Sequence, residues 1–515
     1  MRPAPQSFPS GLLVTAILAA TTIASRAPFT SSMLYAYDSA NYAFAVRDYY
    51  HVGHHQPHPP GYPLYVASAW LINRLVDDPN RSLVVVSILA SAVAVAATHR
   101  LGVAQFDGAI GLAAALLLAF SPGFWAYGEV AFPYTTLACF AACIALLAHH
   151  LRATAFASHV AGSGALMGLA AGFRLDLLFE LGPLWARALL RCSSGARLLA
   201  VAACLLVVGA WAAPMVWLSG GASEYLAAFA AQARYVVRAY SVAAEGEERL
   251  RYNVELLLQA LRLGVGAPVL LLLLYSLGRT FNALRIATDE RLRFLLVWIL
   301  PPSVVFLFIH IAVEGYVLVL LPALSILAAA GLADLRDDLG AAARVLALTT
   351  SKAFGLGLGR LAAAAPGVIL LVLLSWNISV FLAAPGPARL SAIRRVDDLL
   401  ESQVAFVQRQ LSPGSTVILA HDRFRQLQYY LTGYQVVMLF DEYERDYQER
   451  RQTFLVPDGA THLLIADDSP RLGARATARL RLVDLLDEPG GSVRLIDLEG
   501  VRGVEFGYGW VELSP

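Results

Sequence analysis

A chain of 515 residues that is 57% hydrophobic and only 15% charged is too apolar for a water-soluble enzyme, in which about 25% of residues carry charge. Its formal net charge of +1 offers no basic surface to nucleic acid. The four cysteines (Cys139, Cys143, Cys192, Cys204) all sit in or beside apolar runs, which argues against a disulfide framework or a thiolate metal site and leaves a polytopic α-helical membrane protein.

Twelve apolar segments follow one another, at 11–27, 61–76, 82–98, 109–121, 130–149, 157–173, 175–190, 197–218, 263–278, 293–313, 315–333 and 364–384. The first is expected to be a retained span rather than a cleaved leader, because the loop after it carries chemistry. That loop, 28–60, holds Asp38, Asp48 and four histidines (His51, His54, His55, His58), and runs into a Pro-Pro-Gly-Tyr-Pro turn. Asp38-Ser39 can cap a short helix over 40–50, and Asp38 can equally serve as a general base or metal ligand at the interface. The His-x-x-His-His-x-x-His spacing would suit metal ligation on a helix, but Gly53, Pro57 and Pro59 oppose a regular one. A single histidine acting as proton donor, phosphate partner or ligand of a loosely held divalent ion is the better reading. His58 is best placed for it, since the prolines after it fix its position.

The basic connections at 150–156, 187–197, 279–293 and 334–363 are expected on the cytoplasmic side. The loops at 121–130, 172–176, 219–262 and 310–316 then lie outside. This bookkeeping makes 61–76 an interfacial or re-entrant helix and gives about eleven crossings, with twelve as the competing count. Loop 219–262 mixes charge with tyrosine and predicts amphipathic helix on the outer face. The glycines near Gly355 follow no strand, so they do not make a nucleotide loop. Cys139 and Cys143, one helical turn apart, read as small apolar residues rather than a soft metal pair.

Three further outward loops carry candidates. Glu129 is an acid at the mouth of a span. Arg174 and Asp176 form either an interfacial ion pair or a site for a lipid phosphate. His310 and Tyr316 flank Glu314-Gly315. After Pro385-Gly386-Pro387 the chain becomes charged. Residues 386–515 predict a small extracytoplasmic α/β domain, with a helix over 389–411 and strands at 415–420, 435–440, 461–466, 494–498 and 504–513. His421-Asp422 reads as a loop cap rather than a catalytic pair.

The combination resembles the GT-C membrane glycosyltransferases. Its elements are the first-loop Asp38, His58 before Pro59-Pro60-Gly61-Tyr62, Ser121-Pro122 leading to Glu129, Gly172-Phe-Arg174-Leu-Asp176, and a late Gly315-Tyr316 span. The similarity is greatest to the protein-mannosyltransferase and aminoarabinose-transferase branch, family 39 and its bacterial relatives. As an architecture it covers roughly 10–385; as motifs it is confined to 35–65 and 121–134, with weaker echoes at 172–176 and 310–322. It implies an inverting transferase in the cytoplasmic (inner) membrane, acting on the extracytoplasmic face. The sugar would pass from a polyprenyl-phosphate carrier to a protein or glycolipid acceptor. It also implies Asp38 and Glu129 as catalytic carboxylates, and Asp38 with His58 as ligands of a divalent metal ion. His55, His58, Tyr62, Arg174, Asp176, His310 and Tyr316 become substrate-binding. The family's acidic pair is broken here, because Ser39 follows Asp38. The rival readings are a transporter or flippase of a lipid-linked sugar, which calls for inverted repeats that the sequence does not display, and a non-catalytic assembly protein.

Overall fold

A computed structural model describes residues 8–151, 156–280, 289–349, 352–438, 451–466, 472–476, 481–488, 491–497 and 503–508. Each of the twelve expected apolar segments contains helix, but 263–278 is broken at Gly266, 293–313 leaves its helix at Phe308, 130–149 is helical only from Tyr134, and 315–333 opens as a 3₁₀ turn. In chain order the helices are α1 (Phe8–Arg26), α2 (Tyr37–Arg47), α3 (Pro63–Val76), α4 (Pro79–Gln105), α5 (Gly108–Ala119), α6 (Pro122–Gly128) and α7 (Tyr134–Leu151). They continue as α8 (Ala157–Phe173), α9 (Leu177–Leu189), α10 (Ser194–Leu218), α11 (Ala222–Tyr240), α12 (Val242–Glu245), α13 (Glu247–Val265) and α14 (Ala267–Thr280). The last membrane helices are α15 (Glu290–Phe308), α16 (Leu321–Thr349) and α17 (Lys352–Ala383).

Among the described residues six helices are individually long and apolar enough to cross a bilayer, and two sharply bent pairs raise the number to eight. Others in the expected count of eleven fall short of about 20 residues: α8 has 17 and α9 has 13. Helix α3, expected to be interfacial or re-entrant, has 14 residues and leaves Leu71 and Leu75 exposed. The 30-residue connection expected at 334–363 is mostly helix instead, since α16 and α17 leave only 350–351 between them. Those two residues lie outside the described ones, as do Arg152 and Arg285 of the other basic connections.

Local chemistry explains several joints. Asp78, Asp107 and Ser193 cap α4, α5 and α10 by accepting the N–H of Arg81, Ile110 and Ala196. Between α5 and α6 the axis turns by 60°. Pro122 has no N–H and disfavours helix at Ser121, whose hydroxyl donates instead to the Gly264 carbonyl of α13. Helix α8 carries Gly164, Gly168 and Gly172 at a spacing of four, on the face that meets α10. A Cβ at Gly164 would collide with the Ala200 carbonyl, and one at Gly168 would come to 2.7 Å from the Cys204 carbonyl. Only glycine permits that approach.

Beyond α17 the chain forms an α/β unit: α18 (Leu390–Gln410), β1 (Thr416–Ala420), α19 (Phe424–Tyr430), β2 (Gln435–Met438), β3 (Arg451–Leu455), β4 (His462–Ala466), β5 (Leu472–Ala476), β6 (Arg481–Glu488), β7 (Gly491–Asp497) and β8 (Gly503–Tyr508). One sheet has the order β2-β1-β4-β7-β6, parallel over its first three strands and antiparallel after; the other is antiparallel β3-β8-β5. The expected strand ends at 439–440, 498 and 509–513 lie outside the described residues. This unit packs directly on the first loop. The buried Asp397 carboxylate of α18 accepts from Ser31 Oγ (2.6 Å) and from the N–H of Met33 and Ser32. The Tyr430 hydroxyl accepts from the Leu34 N–H.

Candidate active site

The first loop folds back on itself. Helix α2 begins at Tyr37, with Ala36 in the capping position and Ser39 Oγ accepting the Ala36 N–H. Asp38 therefore stands in the first turn, not at the cap expected of it, where the helix dipole favours its charge. Asp48 at the other end is held by Arg47, Nε to Oδ1 at 2.7 Å and Nη2 to Oδ2 at 3.0 Å. A hairpin joins His51 to Gln56, and the Gly61 N–H closes a turn on the His58 carbonyl. Gly61 adopts φ +116°, and its carbonyl accepts from Tyr50 Oη at 2.6 Å.

These turns bring His58 Nδ1 to 3.3 Å from Asp38 Oδ1, while His58 Nε2 lies 3.2 Å from Tyr62 Oη. Asn41, one helical turn on from Asp38, donates to the same Oδ1 at 3.4 Å. Burial pushes the His58 imidazole below its ordinary pKa, against the pull of Asp38 and with help from Arg174.

Opposite them, the α8–α9 junction supplies Arg174, which grips Asp176 with Nε at 3.1 Å and Nη2 at 2.5 Å. The guanidinium lies 4.5 Å from the Tyr316 ring centroid, 5.4 Å from that of Tyr134 and 6.0 Å from that of Tyr62. Tyr316 Oη is 2.7 Å from His310 Nε2. Burial, reinforced by Arg174, holds His310 down at about 4, so it is neutral at pH 7.

Asp38, His55, His58, Tyr62, Arg174, Asp176, His310 and Tyr316, drawn from three separate parts of the chain, all line one cavity of about 480 Å³. Helix α11, expected as an amphipathic outer element, closes it with Phe229, Gln232, Tyr235 and Tyr240.

Glu129 does not line this cavity. The bend at Pro122 carries it into the interior, where it is fully buried; Trp125 Nε1 donates to its Oε1 at 2.9 Å, and its backbone carbonyl accepts the Ser31 N–H. Arg26 and Arg394 supply the nearby positive charge. The segment reaches the Arg174 cluster through Tyr134 instead. Two residues escape sequence reasoning. Asn41 looks like ordinary helix filler. Arg425 lies some 380 positions downstream in α19, yet its Nε donates to Asn41 Oδ1 at 2.6 Å and its Nη2 to the His55 carbonyl at 3.0 Å.

Among the described residues the cavity brings no three ligating side chains within reach of one ion. Asp38 and His58 give two donors, Asn41 Oδ1 is taken by Arg425, and the Arg174 charge acts on the same imidazole. A group of three ligating side chains lies elsewhere, at His51, His54 and Glu224.

No protein-family model matches the chain, and no curated protein matches it in sequence. Solved structures do share its fold. ArnT from Cupriavidus metallidurans, bound to undecaprenyl phosphate, superposes with a TM-score of 0.57 at 13% identity, over 95% of this chain and 98% of that one. The oligosaccharyltransferase AglB from Archaeoglobus fulgidus, with an inhibitory peptide and a dolichol-phosphate, gives 0.50 at 13% identity, over 88% and 69%. The Archaeoglobus enzyme in complex with Zn and sulfate gives 0.50 at 14%, over 88% and 68%. The fold is thus that of the polytopic GT-C membrane proteins, carrying a small C-terminal α/β domain.

Proposed function

We propose that this protein is a glycosyltransferase that moves a sugar from a polyprenyl-phosphate carrier to an acceptor hydroxyl at the extracytoplasmic face of the cytoplasmic membrane. The observation that carries this reading is the cavity itself. Two carboxylates, three imidazoles and a tyrosine-stacked guanidinium converge there on a GT-C scaffold, in two of whose structural neighbours a polyprenyl or dolichol phosphate is bound.

The orientation follows from charge. At the far ends of α9 and α15, away from the cavity, Arg187 and Arg191 pair with Glu290, and Arg187 also donates to the Arg293 carbonyl. An excess of arginine at that end favours the cytoplasmic side, which supports a cavity that faces the other way.

In the proposed reaction the acceptor oxygen attacks the anomeric carbon while its proton passes to Asp38, and the bond from that carbon to the phosphate oxygen breaks. The polyprenyl phosphate leaves with the electron pair. Asp38 is 39% exposed and open to a substrate, whereas Asp176 is committed to Arg174. One available carboxylate supports a single displacement, with inversion at the anomeric carbon. Neutral His310 and the edge of Arg174 supply the polar surface against which the phosphate charge develops.

Asp38→Asn tests the assignment, because it keeps the shape and removes the base. Transfer of labelled sugar should fall by about 10²–10⁴-fold, with an unchanged melting temperature. Full transfer by a well-folded Asp38→Asn protein would remove Asp38 from the chemistry. Accumulation of the polyprenyl-linked donor in a deletion strain, read by mass spectrometry, tests the reaction class.

A further inference from the structure

We propose that His51, His54 and Glu224 form a site for a borderline divalent cation, best matched by Zn²⁺, which clips the first loop to α11 outside the cavity. This does not depend on the transferase reading.

The first observation is convergence. The ligating atoms of the three side chains all lie within 4.8 Å of one another, and His51 Nε2 is already 3.5 Å from Glu224 Oε1. Ligands around a tetrahedral zinc stand about 3.4 Å apart. His54 and Glu224 are exposed, so both side chains have room to rotate onto an ion.

The second is how the backbone brings them together. Residues 52–54 form a single 3₁₀ turn, in which positions i and i+3 eclipse. The His51 and His54 rings therefore stack, with centroids 3.8 Å apart and planes at 15°. Glu224 comes from the first turn of α11, after Gly220 and Gly221, both at positive φ. Its carboxylate lies back over Gly220, where a Cβ would collide with it. A Cβ at Gly53 would stand 3.3 Å from His51 Cε1 and 3.5 Å from Glu224 Oε1, so carboxylate and imidazole meet over a glycine.

The third is that the two segments are already fastened on either side of the group. Ser219 Oγ accepts the Val52 N–H at 3.2 Å, and Tyr225 Oη donates to the Pro60 carbonyl at 3.2 Å. Little ordering remains for an ion to impose. A hydrogen bond outside the shell fixes one ligand as well, since Tyr49 Oη lies 3.2 Å from His54 Nδ1 and leaves Nε2 for the ion.

Two imidazoles with one carboxylate select zinc-like ions over Mg²⁺ or Ca²⁺, and water completes the shell. Helix α11 also lines the cavity through Phe229, Gln232 and Val236. An ion here would hold that wall against the loop bearing His55 and His58.

The test uses the full-length, tag-free protein in lipid nanodiscs, stripped with a chelator and titrated with Zn²⁺ against a chromogenic competitor. We expect one equivalent bound at micromolar affinity or tighter, and a melting temperature that rises on loading. His54→Ala and Glu224→Ala should each weaken binding by at least about tenfold and remove the rise, while melting like the stripped parent without zinc. Asp38→Ala should leave binding intact. Absence of stoichiometric binding would overturn the proposal. So would binding that survives the His54→Ala/Glu224→Ala double variant, or binding lost with Asp38→Ala.

Discussion

Arg425→Ala asks whether a residue in the C-terminal domain positions the carboxylate in the membrane domain. The Arg425 side chain is buried against the first loop, and its shortest directed contacts are to Asn41 Oδ1 (2.6 Å), Gln428 Oε1 (2.7 Å) and the His55 carbonyl (3.0 Å). Its guanidinium also lies 4.7 Å from the Phe44 ring centroid. A hydrogen bond to a charged group is worth about 1.5–3 kcal/mol, and an abandoned buried acceptor costs about 1–3 kcal/mol. Two inter-domain bonds and an orphaned Asn41 oxygen put the expected destabilisation at about 3–5 kcal/mol. Because that bond fixes which end of the Asn41 amide faces Asp38, turnover should fall more than substrate affinity does. The assay is a double-mutant cycle between Arg425→Ala and Asn41→Ala, read by denaturant unfolding in micelles and by sugar transfer. A coupling of at least about 1 kcal/mol is expected. Additivity within about 0.3 kcal/mol in both readouts would refute the relay from Arg425 through Asn41 to Asp38.

Gly168→Leu should separate α8 from α10, because the new side chain has no space beside the Cys204 carbonyl and Val207; loss of folded protein in detergent size-exclusion chromatography checks this, and Gly162→Leu, where nothing lies near, should fold normally. His310, held at about 4 in the folded protein against 6.5 unfolded, binds fewer protons when folded. It therefore contributes nothing adverse above pH 6.5 and lowers stability as pH falls from 6.5 through 4, by up to about 3 kcal/mol. His310→Asn should flatten that part of the stability–pH curve, leaving the effect of His58, which has the same sign; an unchanged curve would contradict a buried neutral imidazole. Glu129→Gln should leave turnover of the folded protein near the parent value, since Glu129 is fully buried and does not line the cavity; a stable variant with abolished transfer would place Glu129 in the chemistry.

Much of this molecule is legible in one dimension. Runs of about 20 apolar residues form helices wherever they occur, because a bilayer leaves the backbone no other partner for its hydrogen bonds. Polar residues retained at the ends of apolar segments are costly and therefore conspicuous, which is why Asp38, His58, Arg174, Asp176, His310 and Tyr316 could be singled out, and in the fold they share one cavity. Glu129 has the same local signature, an acid at the mouth of a segment. Whether such an acid faces a cavity or the interior depends on the 60° turn at Pro122 and on which neighbours fill the space behind it. The contacts of Arg425 and Asp397 were equally unreadable, because they join residues more than 350 positions apart. Composition and spacing determined the solvent, the helices and the residues costly enough to notice. Tertiary packing decided which of them meet, since burial and hydrogen-bond partnership belong to surfaces that exist only once distant segments have docked.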